Sequence, residues 1–245
     1  MHPPKESIVN LQPISTEPKR PSYADQSVRG GVGQSARVLR NTYALLALSM
    51  IPTVLGAWIG VASGITRAMS PGISMIVFMV GAFGLIFAIE KNRNSSAAVP
   101  LLLGFTFFMG LMLSRMLGLV LGMGNGASLV MMACAGTATI FFGMATLSSI
   151  IKRDLTSMGK WLFIGAVMLM VAGLANLFIQ SSALMITLSV MAIGIFSAFV
   201  LHDLKRVQDG TETNYVIATL GVYLSLYNVF QSLLALFGIF GSRDE

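Results

Sequence analysis

Of the 245 residues, 55% are hydrophobic and only 11% are charged, whereas soluble domains carry about 25% charged residues, so this inventory excludes a water-soluble globular surface. The net charge of +6 does not point to nucleic acid, because the basic residues lie in short segments between long apolar runs, where they set orientation in a bilayer. Those runs are continuous rather than alternating, which excludes a transmembrane barrel and leaves helices.

In chain order, residues 1–40 come first. They hold five of the eight prolines, Pro3, Pro4, Pro13, Pro18 and Pro21, among Ser, Gln, Lys and Glu. Such a stretch cannot bury enough apolar surface to offset its ordering entropy, so the sequence predicts a disordered cytoplasmic tail. The first apolar run begins only near Thr42, so no secretory signal pattern stands at the start. Residues 41–245 then read as one transmembrane domain.

Charged residues divide that domain into spans of about 20 apolar residues, the length that crosses a bilayer as a helix. Span one covers residues 42–63, with Pro52 as a kink site, and span two covers 69–89, with Glu90 snorkelling at the inner interface. Span three covers 97–117, with Arg115 snorkelling at the outer interface. Residues 116–151 carry no charge and are too many for one helix; Gly122-Met123-Gly124-Asn125-Gly126 supplies the turn before span four at 129–150. Residues 161–201 are again charge-free and break at Gln180-Ser181-Ser182 into spans five and six. Span seven runs over 215–240. The fold class is therefore an all-α integral membrane protein of seven transmembrane helices. Six spans with a re-entrant last segment is the alternative.

The basic residues test this division. Lys5, Lys19, Arg20, Arg29, Arg37 and Arg40 precede span one. On the same side fall Lys91, Arg93, Lys152, Arg153, Lys160, Lys205 and Arg206, leaving Arg67, Arg115 and Arg243 opposite. The positive-inside bias then puts the N-terminus in the cytoplasm and, after seven spans, the C-terminus outside. Gly56, Gly60 and Gly64 recur four apart, as do Gly118 and Gly122, a spacing that lets helix backbones touch. Cys134, the single cysteine, reads as a small packing residue.

Ionisable and polar residues at depth carry the functional information, because each costs free energy to place there. Asp203 ends span six beside His202, with Arg206 at i+3 as its expected partner. On span seven, Ala218, Gly221, Ser225, Asn228, Ser232 and Ala235 advance by three and four, so they share one face, expected to point into the bundle. Asn176, placed in mid-span five, reads as an interhelical hydrogen-bond donor. His202, Asp203 and Ser225 are triad residue types, but adjacent helix positions diverge by about 100°, so the sequence does not expect Asp203 to orient His202 towards a serine. No metalloprotease, phosphate-loop or nucleophile-elbow motif occurs, no cofactor is called for, and the chain does not read as an enzyme.

The segment Asp203, Thr211-Glu212-Thr213-Asn214-Tyr215-Val216-Ile217-Ala218-Thr219 and Tyr223-Leu224-Ser225-Leu226-Tyr227-Asn228-Val229-Phe230-Gln231-Ser232-Leu233-Leu234 resembles the C-terminal signature of the Bax inhibitor family, the transmembrane Bax inhibitor motif proteins. Val38-Leu39-Arg40-Asn41-Thr42-Tyr43 and Gly241-Ser242-Arg243-Asp244 resemble its bacterial, YccA-like branch. The resemblance covers residues 36–245. It implies seven helices with the last surrounded by the other six, in a bacterial inner membrane with a periplasmic C-terminus. It also implies association with the ATP-dependent protease FtsH and its HflK–HflC partners, as substrate and modulator. The alternative it implies is a pH-sensitive calcium leak channel, in which two aspartates share a proton. Asp203 stands at the first position and Ser225 at the second, with Asn228 one turn on. Serine cannot share that proton near neutral pH, and Asp203 alone would be a weak calcium ligand. His202, Arg206, Arg115 and Glu90 are the accessory polar residues.

Overall fold

The computed structural model describes residues 23–241. Eight helices account for nearly all of them: α1 Tyr23–Ser63, α2 Ile65–Ala68, α3 Pro71–Lys91, α4 Ala98–Val120, α5 Gly126–Ile150, α6 Met158–Ile179, α7 Ser182–Gln208 and α8 Tyr215–Gly241. Seven of these are long and apolar enough to cross a membrane, α2 being a single turn. The last span is a full helix of 27 residues, about 40 Å long at 1.5 Å per residue, so the re-entrant alternative is excluded.

The first helix departs from the sequence reading. It begins at Tyr23 and runs unbroken through Pro52 to Ser63, so residues 23–40, assigned to the tail, are helical. Residues 1–22 and 242–245, which hold the rest of the expected tail and Arg243, lie outside the described residues. At 41 residues α1 is roughly 60 Å long, twice the hydrocarbon thickness. Its early turns therefore project beyond the membrane on the side where the chain begins. Val38 is buried against Val207 and Ala218, a packing that holds this extension against α7 and α8.

Local chemistry sets the breaks. Gly64, at φ 66°, ends α1 in the left-handed region that favours glycine, so it forms a turn rather than a packing contact. Ser70 caps α3, accepting from the Ile73 amide at 3.4 Å, with Pro71 in the first turn. The glycine-rich turn before α5 and the break at Gln180-Ser181 fall where the sequence places them. Asn176 is in the last turn of α6, not at mid-span, and its Oδ1 accepts from the Ser181 amide at 3.1 Å, closing the hairpin.

Asn214 starts α8. Its Oδ1 accepts from the amides of Val216 (2.9 Å) and Ile217 (3.2 Å), and its Nδ2 donates to the Arg93 carbonyl (2.7 Å) and to Asn94 Oδ1 (3.2 Å). Gln208 donates to Ser148 Oγ at 2.9 Å. These ties gather the α3–α4, α5–α6 and α7–α8 connections at one end of the bundle, the end that carries most of the basic residues. Asn214→Ala removes the cap and the cross-loop bonds together. It is expected to cost about 1–2 kcal/mol, read as a lowered thermal midpoint of the purified protein.

Packing divides the helices into two classes. α8 packs against α7, α5, α1 and α4, whereas α3 packs chiefly on α4 and α6 chiefly on α7. The last helix is thus central but flanked by four main neighbours rather than six. Val222, Val229 and Leu234 on it are wholly buried. The predicted glycine contacts are real for Gly56 and Gly60, which lie directly against α4. Gly118 instead leaves room for the Arg67 guanidinium, and Gly122 lies past the end of α4. Cys134 is exposed on α5.

Candidate functional site

The residues singled out around Asp203 do come together, though not as expected. Asp203 Oδ1 lies 3.2 Å from His202 Nδ1, so neighbouring residues on one helix meet through their rotamers despite the angle between them. The far edge of the imidazole points at α6. It fits against Gly159 at the start of α6, where a Cβ would come within 2.7 Å of Nε2. His202 is buried and its ring is slotted between α6 and Asp203.

The other carboxylate oxygen, Oδ2, rests on Gly221 of α8, where a Cβ would come within 2.7 Å of it. Glycine at 221 therefore has a local cause: the carboxylate occupies the space that any side chain would need. Around this contact lies a cleft of about 180 Å³ lined by Asp203, Arg206, Glu212, Ala218, Leu220 and Gly221. Arg206 pairs with Glu212 at 3.5 Å and not with Asp203. The reason lies in the backbone: the amides of Thr211 and Glu212 donate to the Arg206 carbonyl at 2.9 and 3.0 Å. This fold of the loop brings Glu212 back beside the guanidinium.

The span-seven stripe is intrahelical in its hydrogen bonding. Ser225 Oγ donates to the Gly221 carbonyl (3.0 Å), Asn228 Nδ2 to the Leu224 carbonyl (2.8 Å) and Ser232 Oγ to the Asn228 carbonyl (2.7 Å). Ser225 is buried and Asn228 half-buried. Neither bonds to Asp203, whose hydrogen-bond partner is His202. Calcium takes six to eight oxygen ligands. Among the described residues no three His, Cys, Asp or Glu side chains cluster, and the Arg206 cation lines the same cleft as the carboxylates. The donor set falls short of a resident calcium site.

Of the accessory residues, Glu90 sits exposed in the last turn of α3, paired with Arg93 at 3.1 Å. Arg115 is held at the end of the bundle where α2 joins α3. Its Nη1 donates to the Met69 carbonyl (3.3 Å) and to Ser74 Oγ (3.2 Å), tying α4 to the start of α3.

Sequence reasoning missed the tyrosines. Tyr223 and Tyr227 lie on a face of α8 that the stripe argument left to lipid, yet both are buried. The Tyr223 hydroxyl is 2.9 Å from Thr53 Oγ1 on α1, which itself donates to the Ser49 carbonyl at 2.8 Å, and the Tyr227 hydroxyl donates to the Met109 carbonyl at 3.3 Å. Phe105 meets Tyr223 edge-on at 6.1 Å. Two tyrosines at i and i+4 on an otherwise apolar helix were the available signal, since a buried phenol requires a polar partner.

Comparison with known proteins adds to this geometry. The family described as inhibitor of apoptosis-promoting Bax1 matches residues 35–242. A protein of Escherichia coli strain K12, named modulator of FtsH protease YccA, is 36% identical over 208 residues, covering 85% of this chain and 92% of that protein. Its counterpart in Escherichia coli O6:H1, at the same identity and coverage, is named inner membrane protein YccA. A Vibrio cholerae protein named as an uncharacterised membrane protein is 33% identical over 211 residues, 86% of this chain and 93% of its own length.

Proposed function

Because the chain belongs to the Bax inhibitor family, described as inhibitor of apoptosis-promoting Bax1, we propose that it is a regulatory protein of a bacterial inner membrane, both a slow substrate and a modulator of the protease FtsH. The observation that carries this reading is its 36% identity, over 85% of its length, to a protein named for modulating that protease. A chain occupying a processive protease without being quickly consumed competes with other substrates, so slow processing and modulation are one property. HflK and HflC, as companions of the protease, complete the proposed assembly.

The geometry supports the same reading. The N-terminus is assigned to the cytoplasm, on the side where most Lys and Arg residues gather. There α1 carries the chain well past the membrane before residue 22 is reached, presenting the Pro-, Ser- and Lys-rich segment 1–22 as the handle. Residues beyond it form a bundle whose centre is tightly packed. Deleting residues 1–22 leaves the span of α1 intact and is expected to lengthen the half-life severalfold, to that seen in protease-depleted cells. An unchanged half-life, in cells with the protease and in cells without it, sinks the proposal.

The calcium leak has less support. Ser225 replaces the second carboxylate, and Phe105, Leu102, Met109 and Tyr223 fill the bundle beyond the Asp203 cleft. Asp203 is retained as the candidate proton- or cation-sensing group, with Ser225 and Asn228 further along α8 as candidate polar residues.

A further inference from the structure

We propose that the glycine-lined interface between α1 and α4 is a mechanical lock that sets how slowly the chain is extracted when pulled from its N-terminus. The inference rests on the reading above that a protease grips that end.

A load applied at the N-terminus reaches α1 first, and α1 packs on α4 more extensively than on any other helix. The approach is reciprocal. Gly56 of α1 lies on the backbone of Phe107 and Leu111, and Gly110 of α4 lies on the backbone of Thr53. One turn along, Gly60 lies on the Ser114 side chain. Lipid provides no hydrophobic drive between helices, so adhesion comes from such close packing and from interhelical hydrogen bonds. Two bonds flank this contact: Thr53 Oγ1 on α1 to the Tyr223 hydroxyl on α8 at 2.9 Å, and Thr66 Oγ1 on α2 to Ser114 Oγ on α4 at 2.8 Å.

The arrangement matters because of its direction. Glycines interlocked with facing backbone along the helix axis resist an axial pull together, in shear, instead of opening one after another. Forced unfolding is governed by the height of that barrier rather than by equilibrium stability. The helices with least packing, α3 and α6, lie on the periphery and are loaded only after α1 has yielded. The fold thus puts its tightest helix pair first in the path of the pull, and a protease stalled there stays occupied.

Two glycine-to-alanine substitutions test this. Gly60→Ala adds one Cβ against Ser114 in the lock, and Gly165→Ala adds one Cβ at 3.0 Å from Ile195 Cδ1 in the peripheral α6–α7 pair. Full-length protein in bilayers is pulled by an N-terminal tag in a force microscope, and half-lives are followed in cells with and without FtsH. The wild type is expected to show its highest force at the first step, when α1 leaves. Gly60→Ala should lower that force and shorten the protease-dependent half-life about fivefold, the factor that follows from ~1 kcal/mol off a barrier. Gly165→Ala should change neither. Equal shortening by both variants, or a first step no stronger than later ones, overturns the lock. If the forces follow the expected pattern while turnover ignores the protease, the lock stands and the FtsH reading fails. Should Gly60→Ala not accumulate, Thr53→Ala, which removes the hydroxyl that ties α1 to Tyr223 of α8 and to the Ser49 carbonyl, must move force and half-life in the same direction, and no movement overturns the lock.

Discussion

Gly110→Val is expected to cost about 3 kcal/mol or more, while Gly104→Val on the same helix stays within about 0.5 kcal/mol. The chemical change is identical, so the difference isolates what each glycine faces. Nothing lies within 4 Å of a Cβ built at Gly104, but one built at Gly110 runs into the Thr53 carbonyl and its backbone. A flexible side chain could swing away at little cost. Helical backbone cannot, and relief requires α1 and α4 to separate along their whole contact. Separation also draws Thr53 from the Tyr223 hydroxyl, leaving that buried phenol only the longer bond to the Thr106 carbonyl at 3.4 Å. A loss of about 3 kcal/mol is a large share of the 5–15 kcal/mol typical of a folded domain. Thermal melts of both variants in one detergent decide the matter: equal midpoints would mean that α1 and α4 do not touch as closely as the structure has them.

How much of this was legible in the sequence depends on the physics each element uses. The seven spans were, because a bilayer demands about 20 apolar residues per crossing and nothing subtler. The tail boundary was not. Residues 23–40 are polar and contain Gly30, Gly31 and Gly33, so local propensity argues against a helix, and Val38 packing against Val207 and Ala218 is a tertiary contact no local pattern reports. The stripe on α8 was a true periodicity with an incomplete meaning. Residue spacing distinguishes two faces, but on a helix enclosed by four others the face opposite the stripe is buried too, which is where Tyr223 and Tyr227 lie. The Asp203 site was half legible. Its residues were identified, but its partners were decided by rotamers and by the fold of the Thr211–Glu212 turn, which gave Arg206 to Glu212 and left His202 for Asp203.

Gly221→Val is expected to destabilise the bundle by about 2 kcal/mol, and Asp203→Ala introduced alongside it should restore most of that loss. In the wild type the carboxylate sits where the valine side chain would go, with Oδ2 2.7 Å from the position of the missing Cβ. The carboxylate can retreat only by rotating, and rotation breaks its contact with His202 Nδ1. That leaves the buried His202 and the half-buried Asp203 mismatched on one helix. Removing the carboxylate first empties the space, and the valine then fills part of the cleft. The two changes should therefore be strongly non-additive, with a favourable coupling of about 1–2 kcal/mol, as for residues in direct contact. Asp203→Ala alone should cost less than Gly221→Val, because it removes a half-buried side chain from the edge of a cleft rather than forcing one into filled space. A full double-mutant cycle on thermal midpoints measures this. Additive losses would mean that Asp203 does not rest on Gly221, and the cleft, with any proton- or cation-sensing role built on it, would have to be abandoned.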